Sequence, residues 1–409
     1  MNKSQRNTTD KNREGQGILL PILLFVMSAF PPLSTDMYLP ALPDICRIFK
    51  ASESTANLTL ILFFVFFALS TLVWGPLSDR FGRKPTLMAG LALYSAAGAG
   101  CAMAQSVDQL VAFRILQALG TGAPVTISIA IVQDVYSGEG KRRILSVLSA
   151  LMMIAPAAAP VFGAAVLAFF NWRSIFISLA AVGILCMAGT LSIRESAPEG
   201  RRSGTEGFAG RLFSVMRRPF FRRSVVIFSL PSMFILGFVG ASPFIFMTHF
   251  GVSSAMFSFY FALNALFSIA GSMLFVPLIR KFNAGGITQG IFLVLILTGL
   301  LLLLGGNGGP TIFLLCVIPG TVVSAVMRPL SMDILMDKAG PDAGAASSMI
   351  NFMFTILGTA GMQILALQWQ NRIAVYGIMT IVMGALCLMA WYVMSRNSEG
   401  GLAEEVSEI

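Results

Sequence analysis

The chain has 409 residues, 56% of them hydrophobic and 11% charged, and a formal net charge of +9. Soluble proteins carry about 25% charged residues, so this composition excludes a water-soluble domain and makes lipid the solvent. The excess of base raises nucleic acid as a partner, but the placement of the basic residues argues against it.

A polar tail, residues 1–16, opens the chain. The first apolar stretch, 17–43, is too long for a signal-peptide core and lacks a small-x-small cleavage site, so it is expected to stay as an anchor. Stretches of bilayer-crossing length follow at about 55–77, 86–105, 108–133, 144–169 and 174–193. Six more lie at about 224–248, 255–279, 287–304, 311–335, 343–368 and 373–394. The pattern predicts an all-α membrane protein of twelve transmembrane helices. A six-helix bundle is expected over 17–193 and another over 224–394, with a tail at 395–409. The linker between them, 194–223, contains FAGRLFSVMRRPFF, which suits a basic amphipathic helix on a membrane surface.

With the N-terminus inside, the outer loops hold only Arg47, Lys50, Arg173 and Arg372 among the 28 lysines and arginines. Arg114 and Arg328 fall within spans, and all the others lie in inner loops or tails. This is the positive-inside asymmetry, and it predicts cytoplasmic termini. The five cysteines lie in or beside different spans with no CxxC pair, so neither a disulfide framework nor a metal site is expected.

The halves share an echo. WGPLSDRFGRK (74–84) and FVPLIRKFNAG (275–285) align at an offset of 201, pairing Pro76 with Pro277, Leu77 with Leu278, Arg80 with Lys281 and Phe81 with Phe282. Gly82 aligns with Asn283. Glycine and asparagine best tolerate positive φ, so the two loops are expected to turn alike. Six spans plus six, with related halves, suit a transporter built from repeats around a central pathway.

GPLSDRFGRK resembles the inner-loop signature of the major facilitator superfamily. STDMYLPALP, FRILQALGTG, QDVYSGEGKRR, APAAAPVFGA, NWRSIF and GASPFIFMTHFGVSS together resemble its bicyclomycin-resistance (Bcr/CflA) branch, related to chloramphenicol and florfenicol exporters. The resemblance implies two pseudo-symmetric six-helix bundles and a cavity lined largely by spans 1, 4, 7 and 10. It also implies alternating access driven by inward proton flow across a bacterial inner membrane. No cofactor is expected, the proton gradient being the energy source. The expected partners are lipid, protons and small-molecule drugs or amphiphilic metabolites, with the chain acting as a monomer.

Asp36 is the one acid of its stretch. Ionised in hydrocarbon, it would cost roughly 2.5–3.5 kcal/mol on the insertion scale. Arg114, six residues into span 4, falls at a comparable depth, and if both helices face the cavity the two can pair or communicate through water. Burial and a neighbouring guanidinium pull a carboxyl in opposite directions, leaving Asp36 able to exchange a proton near physiological pH. The alternative is a static ion pair that fixes helix packing. In the family that the motifs resemble, the span-1 acid and span-4 arginine are linked to transport. Tyr38 lies about 200° round the helix from Asp36 and ranks lower; Gln117, in the span-4 motif, is a further cavity candidate.

In the inner loop, Gly75, Asp79, Arg80, Gly82 and Arg83 form the expected gate, with Gly82 making the turn and Arg80, Arg83 and Lys84 facing the cytoplasm. Asp134 is expected to join Arg83, and Asp342 to cap span 11, which the resemblance places against this loop. The alternative is charge that merely sets topology. Pro156, Pro160 and Gly163 in span 5 are expected to bend the helix and permit close packing, although packing alone also accounts for them. The resemblance implies a Gly-Pro exporter motif there, and this chain has Ala159-Pro160.

Arg328 either snorkels to meet Asp333 or Asp337, or faces the cavity and favours an anionic or strongly polar group. Phe234 and Phe238 are candidates for an adaptable apolar cavity wall, whereas His249 is expected at the surface. A membrane enzyme would need clustered catalytic groups, and the spans hold no HExxH, Cys/His pair or carboxylate dyad. SGEGKRR lacks the first glycine and the Ser/Thr of a phosphate-binding loop. A passive channel or receptor fits poorly with asymmetric charges in a two-fold repeat. Proton-driven multidrug efflux is the expectation, with export of an endogenous metabolite or metallophore, or proton symport, as alternatives.

Overall fold

A computed structural model describes residues 19–197, 206–337 and 343–396. Among them, eleven helices are long and apolar enough to cross a bilayer, and a bent N-terminal pair makes a twelfth if it counts as one span. Span 1 is that pair, Leu19–Ser28 and Phe30–Phe49, bent by 42° and interrupted again by a 3-10 turn at Leu39–Ala41. Spans 2 to 6 are Glu53–Phe81, Arg83–Met103, Val107–Val135, Gly138–Phe169 and Trp172–Leu191. A linker helix, Glu206–Arg217, leads to span 7, which comprises Pro219–Ser229, Ser232–Pro243 and a π-helical turn, Phe244–His249. Spans 8 to 12 are Ser254–Ile279, Ala284–Gly305, Pro310–Asp337, Ala343–Ala366 and Arg372–Arg396.

The irregular segments coincide with proline. Pro40 and Pro43 carry no N–H, so the carbonyls of Asp36 and Leu39 lose their helical donors and span 1 cannot run on as one helix. Pro231 and Pro243 mark the two changes in span 7. Elsewhere the starts are capped: Ser52, Ser106, Ser253 and Asn283 each accept a backbone N–H of their own helix, satisfying donors otherwise orphaned.

The two halves repeat one packing scheme. Span 3 lies against spans 4 and 6, and span 2 against span 4; span 9 lies against spans 10 and 12, and span 8 against span 10. Span 1 meets span 5 as span 7 meets span 11. The offset of 201 carries into individual contacts. Gly98 abuts Ala180 where Gly299 abuts Ile381, and Gly183 abuts Ser95 where Gly384 abuts Ile296. A Cβ on Gly98 or Gly299 would stand 3.2 or 2.6 Å from those partners, so these helices approach as only small residues permit. Across the halves, span 5 packs on span 8 and span 2 on span 11, a pair of contacts that exchange under the same pseudo-two-fold. The linker helix packs on the start of span 7 and on span 11.

Candidate functional site

The basic end of the molecule is organised around the turn between spans 2 and 3. Gly75, Asp79 and Arg80 lie in the closing turns of the span 2 helix rather than in a loop. Gly75 sits against Thr126 of span 4, and Arg80 is exposed with its guanidinium over the Phe81 ring. Gly82 has φ +99°, and a Cβ there would stand 2.7 Å from Glu195 Oε2. The positive φ requires glycine, and a side chain there would also push the Glu195 carboxylate aside. Arg83 does not face solvent as expected. It is 6% exposed and bonds Asp79 at 2.6 Å, Asp134 at 2.9 Å and Ser78 Oγ at 2.6 Å.

Glu195, which the sequence reading passed over, closes this turn. Its carboxylate accepts Arg83 N–H at 2.8 Å and Lys84 N–H at 3.0 Å, while Lys84 Nζ donates to the carbonyls of Leu191 and Ile193. Burial acts to raise the Glu195 pKa, but backbone N–H groups from Ala197, Arg83, Lys84 and Ser196 outweigh it and hold the carboxyl below its usual range. The equivalent turn is built differently: Asn283 has φ −70° and caps Gly286 N with its own side chain. The two loops therefore do not turn alike. Glycine brings no acceptor to the start of span 3, and Glu195 supplies one from the end of span 6. Asp342 lies outside the described residues.

Arg114 and Asp36 are not paired. Arg114 is fully buried, and Nη1 donates to Ser34 O at 2.9 Å and Gln117 Oε1 at 2.8 Å, with Nε 3.3 Å from Thr59 O. Its Cζ lies 4.1 Å from the Phe63 ring centroid, 5.3 Å from Tyr38 and 5.8 Å from Phe176. The cation is thus held by carbonyl dipoles and aromatic faces and braces span 1 just before its break. Of the arrangements expected for the two charges, the direct pair, dynamic or static, is not formed here. Gln117 and Tyr38 belong to this buried frame, Tyr38 with its hydroxyl 3.2 Å from Thr59 Oγ1.

Asp36 closes the short helix Phe30–Asp36 and is 6% exposed. Among the described residues no lysine or arginine forms an ion pair with it. Thr35 Oγ1 lies 2.8 Å from Asp36 Oδ1 and 3.0 Å from Pro31 O. The next residue, Met37, presses its carbonyl on Gly163 of span 5 so closely that a Cβ there would stand 2.0 Å away. Span 5 runs as one helix through Pro156 and Pro160. Pro160 O accepts a hydrogen bond from Ser258 Oγ of span 8 at 2.9 Å.

In the second half, Arg328 is exposed, with Nη2 3.3 Å from Asn351 Oδ1 and Cζ 5.0 Å from the Phe354 ring. Its hydrogen bond goes to span 11, not to Asp333 or Asp337. Phe234 is fully buried, stacked 5.1 Å from Tyr376 of span 12, and Phe238 stacks 5.7 Å from Phe261 of span 8. Both fill the interior of the C-terminal half, so neither forms an open wall here.

The far end holds two further cross-contacts that the sequence reading missed. Glu53 of span 2 pairs with Arg372 of span 12, whose guanidinium also lies over Phe244. Both line a cleft of about 700 Å³ beside His249, which is exposed as expected. Asn57, one turn after Glu53, is buried near Gly240 and Met362 with neither end of its amide hydrogen-bonded.

The profile of the Major Facilitator Superfamily matches residues 24–362. An uncharacterized MFS-type transporter of Bacillus subtilis, YdgK, is 30% identical over 93% of this chain and 96% of its own length. The multidrug resistance protein MdtL of Shewanella oneidensis is 30% identical over 67% of the chain and 70% of its own. A bicyclomycin resistance protein homolog of Haemophilus influenzae is 27% identical over 72% of the chain and 74% of its own. Among solved structures, a bacterial homologue of the human lysosomal transporter Spinster superposes with a TM-score of 0.75 at 16% identity, covering 93% of this chain and 97% of that one. A D-xylose–proton symporter gives 0.69 at 14%, covering 90% and 96%. The repeated packing, the helix count and these matches agree: the chain is a multi-pass membrane protein belonging to the major facilitator superfamily.

Proposed function

We propose that this transporter exports small amphiphilic compounds, phenicols or bicyclomycin among them, in exchange for protons. It does so by alternating access in a bacterial inner membrane, with both termini in the cytoplasm. The observation that carries the reading is the surroundings of Asp36. Thr35 has one hydroxyl proton and two acceptors within reach, Pro31 O and Asp36 Oδ1. It makes a full bond to both only when Asp36 is itself protonated and donates to Thr35. Among the described residues no cation pairs with the carboxyl, so a change in water access is enough to change its protonation. Arg114, locked into its frame, fixes the segment that carries Asp36.

As the halves rock, Asp36 takes a proton on one side and releases it on the other, and substrate binds in the deprotonated state. Each charge moved down the membrane potential supplies about 2.3 kcal/mol per 100 mV, enough for roughly a fifty-fold gradient of a neutral amphiphile. The names of the relatives, multidrug resistance and bicyclomycin resistance, support a drug as cargo. Everted vesicles carrying a pH-sensitive dye and challenged with phenicols, bicyclomycin and unrelated amphiphiles test the reading. Substrate-induced proton release is expected from the native chain; release by no compound in the panel refutes it.

A further inference from the structure

We infer that Arg328, Asn351 and Phe354 form a subsite for an anionic group carried on a flat apolar body, such as a carboxylate on an aromatic amphiphile. The inference rests on the transport reading above, because it takes the space between the halves as the substrate's path. Arg328 lies nine residues before the end of span 10 at Asp337, about 13 Å along the helix. At that depth a guanidinium turned to hydrocarbon is costly. Spans 7, 8, 9 and 11 all pack on span 10, and we take the face they leave open as the one lining the path between the halves. Arg328 is exposed on it.

Among the described residues the charge has no acid to answer it. Asp333 and Asp337 sit about 140° and 180° round the same helix, and neither forms an ion pair with Arg328 among the described residues. Its hydrogen bond is a long one, 3.3 Å to Asn351 Oδ1. That amide is oriented by its own Nδ2 donating to Ser347 O at 3.0 Å. A guanidinium offers five N–H donors in a planar fork, so enough remain free to receive a carboxylate in a two-point bond. Phe354 lies on the same face of span 11 one turn beyond Asn351. Its ring holds the guanidinium from below and offers a flat surface to an aromatic ring. At the repeat offset of 201 the first half has Ile127, which is buried. The cation is therefore an addition to one half and not a requirement of the shared scaffold.

The full-length chain in lipid nanodiscs, with no proton gradient, is titrated at neutral pH with nalidixate and with the neutral ethyl ester of the same compound. The native chain is expected to bind the anion more tightly than the ester. Arg328→Gln is expected to weaken anion binding by about tenfold or more, the scale of a charge-assisted bond, and to leave ester binding within about twofold. Arg328→Lys, keeping the charge without the fork, falls between. Asn351→Ala, which lets the guanidinium swing, weakens the anion alone and serves as the second variant should Arg328→Gln not fold. A native chain that binds neither probe or favours the ester, or variants that lose both probes equally, overturns the subsite. The two readings fail separately. Charge-selective binding without proton release in vesicles removes the antiport reading alone, whereas proton-coupled export with Arg328→Gln indifferent to charge removes the subsite alone.

Discussion

Replacing Gly163 with alanine should slow transport far more than it destabilises the chain. The added Cβ would stand 2.0 Å from Met37 O and 2.8 Å from Met37 C, whereas real Cβ atoms essentially never come within 3.0 Å of a neighbour. Either span 5 or the break in span 1 must therefore yield by about 1 Å. Overpacking of this kind costs roughly 1–3 kcal/mol, tolerable in a chain whose halves pack over many helices. The yielding atom, however, belongs to the residue after Asp36, and a misplacement of about 1 Å at a working group can cost on the order of a hundredfold in rate. Initial efflux rates in everted vesicles and the thermal midpoint of the purified protein, measured together, separate the two effects. An alanine variant with native efflux and a native midpoint would show that span 5 does not set the position of Asp36.

Three other perturbations probe the frame. Gly82→Ala forces a side chain into φ +99° and against Glu195, a strain of about 1–3 kcal/mol; its midpoint should fall, and an unchanged midpoint contradicts the assigned geometry. Glu195 has a depressed folded pKa, so its contribution is present above the ordinary glutamate range and is lost as pH falls through the folded value. Protection factors at the Arg83 and Lys84 amides, referred to the intrinsic exchange rate at each pH, should therefore fall on acidification in the native chain, and less so in Glu195→Gln; because the side chain is exposed, the effect is small. Breaking the Glu53–Arg372 pair with Glu53→Gln should loosen the far end by about 1 kcal/mol, roughly fivefold in open population. Labelling of a Ser258→Cys reporter by an impermeant thiol reagent, in a chain without its native cysteines, should speed up accordingly, and a charge-swapped pair should restore it. Equal labelling in every variant would show that the Glu53–Arg372 pair does not hold the far end closed.

The sequence made the spans and the repeat legible because lipid imposes long apolar runs and because matching helices kept matching small residues, such as Gly98 and Gly299. It did not place side chains around the helix axes. Asp36 and Arg114 do share a depth, since Arg114 donates to Ser34 O two residues before Asp36, but depth does not say which way a side chain turns, and Arg114 turns to the Ser34 and Thr59 carbonyls. Phe234 and Phe238 have the composition of a cavity wall, but their stacking partners, Tyr376 and Phe261, lie on distant stretches of sequence. Arg328 could be located by its oddity alone, whereas Asn351 and Phe354 became its neighbours only through the packing of span 11. The contribution of Glu195 follows from what Gly82 lacks: a helix starting on glycine needs an acceptor from elsewhere. A missing side chain does not say where its substitute lies.

The account turns on one acid exchanging its proton as access alternates. The direct measurement is substrate-induced proton flux from purified protein in liposomes, compared between the native chain, Asp36→Asn and Asp36→Glu, alongside substrate binding without a gradient. The account predicts coupled flux in the native chain, none in the amide variant although it still binds substrate, and partial flux in the glutamate variant. Native coupled flux from Asp36→Asn would contradict it.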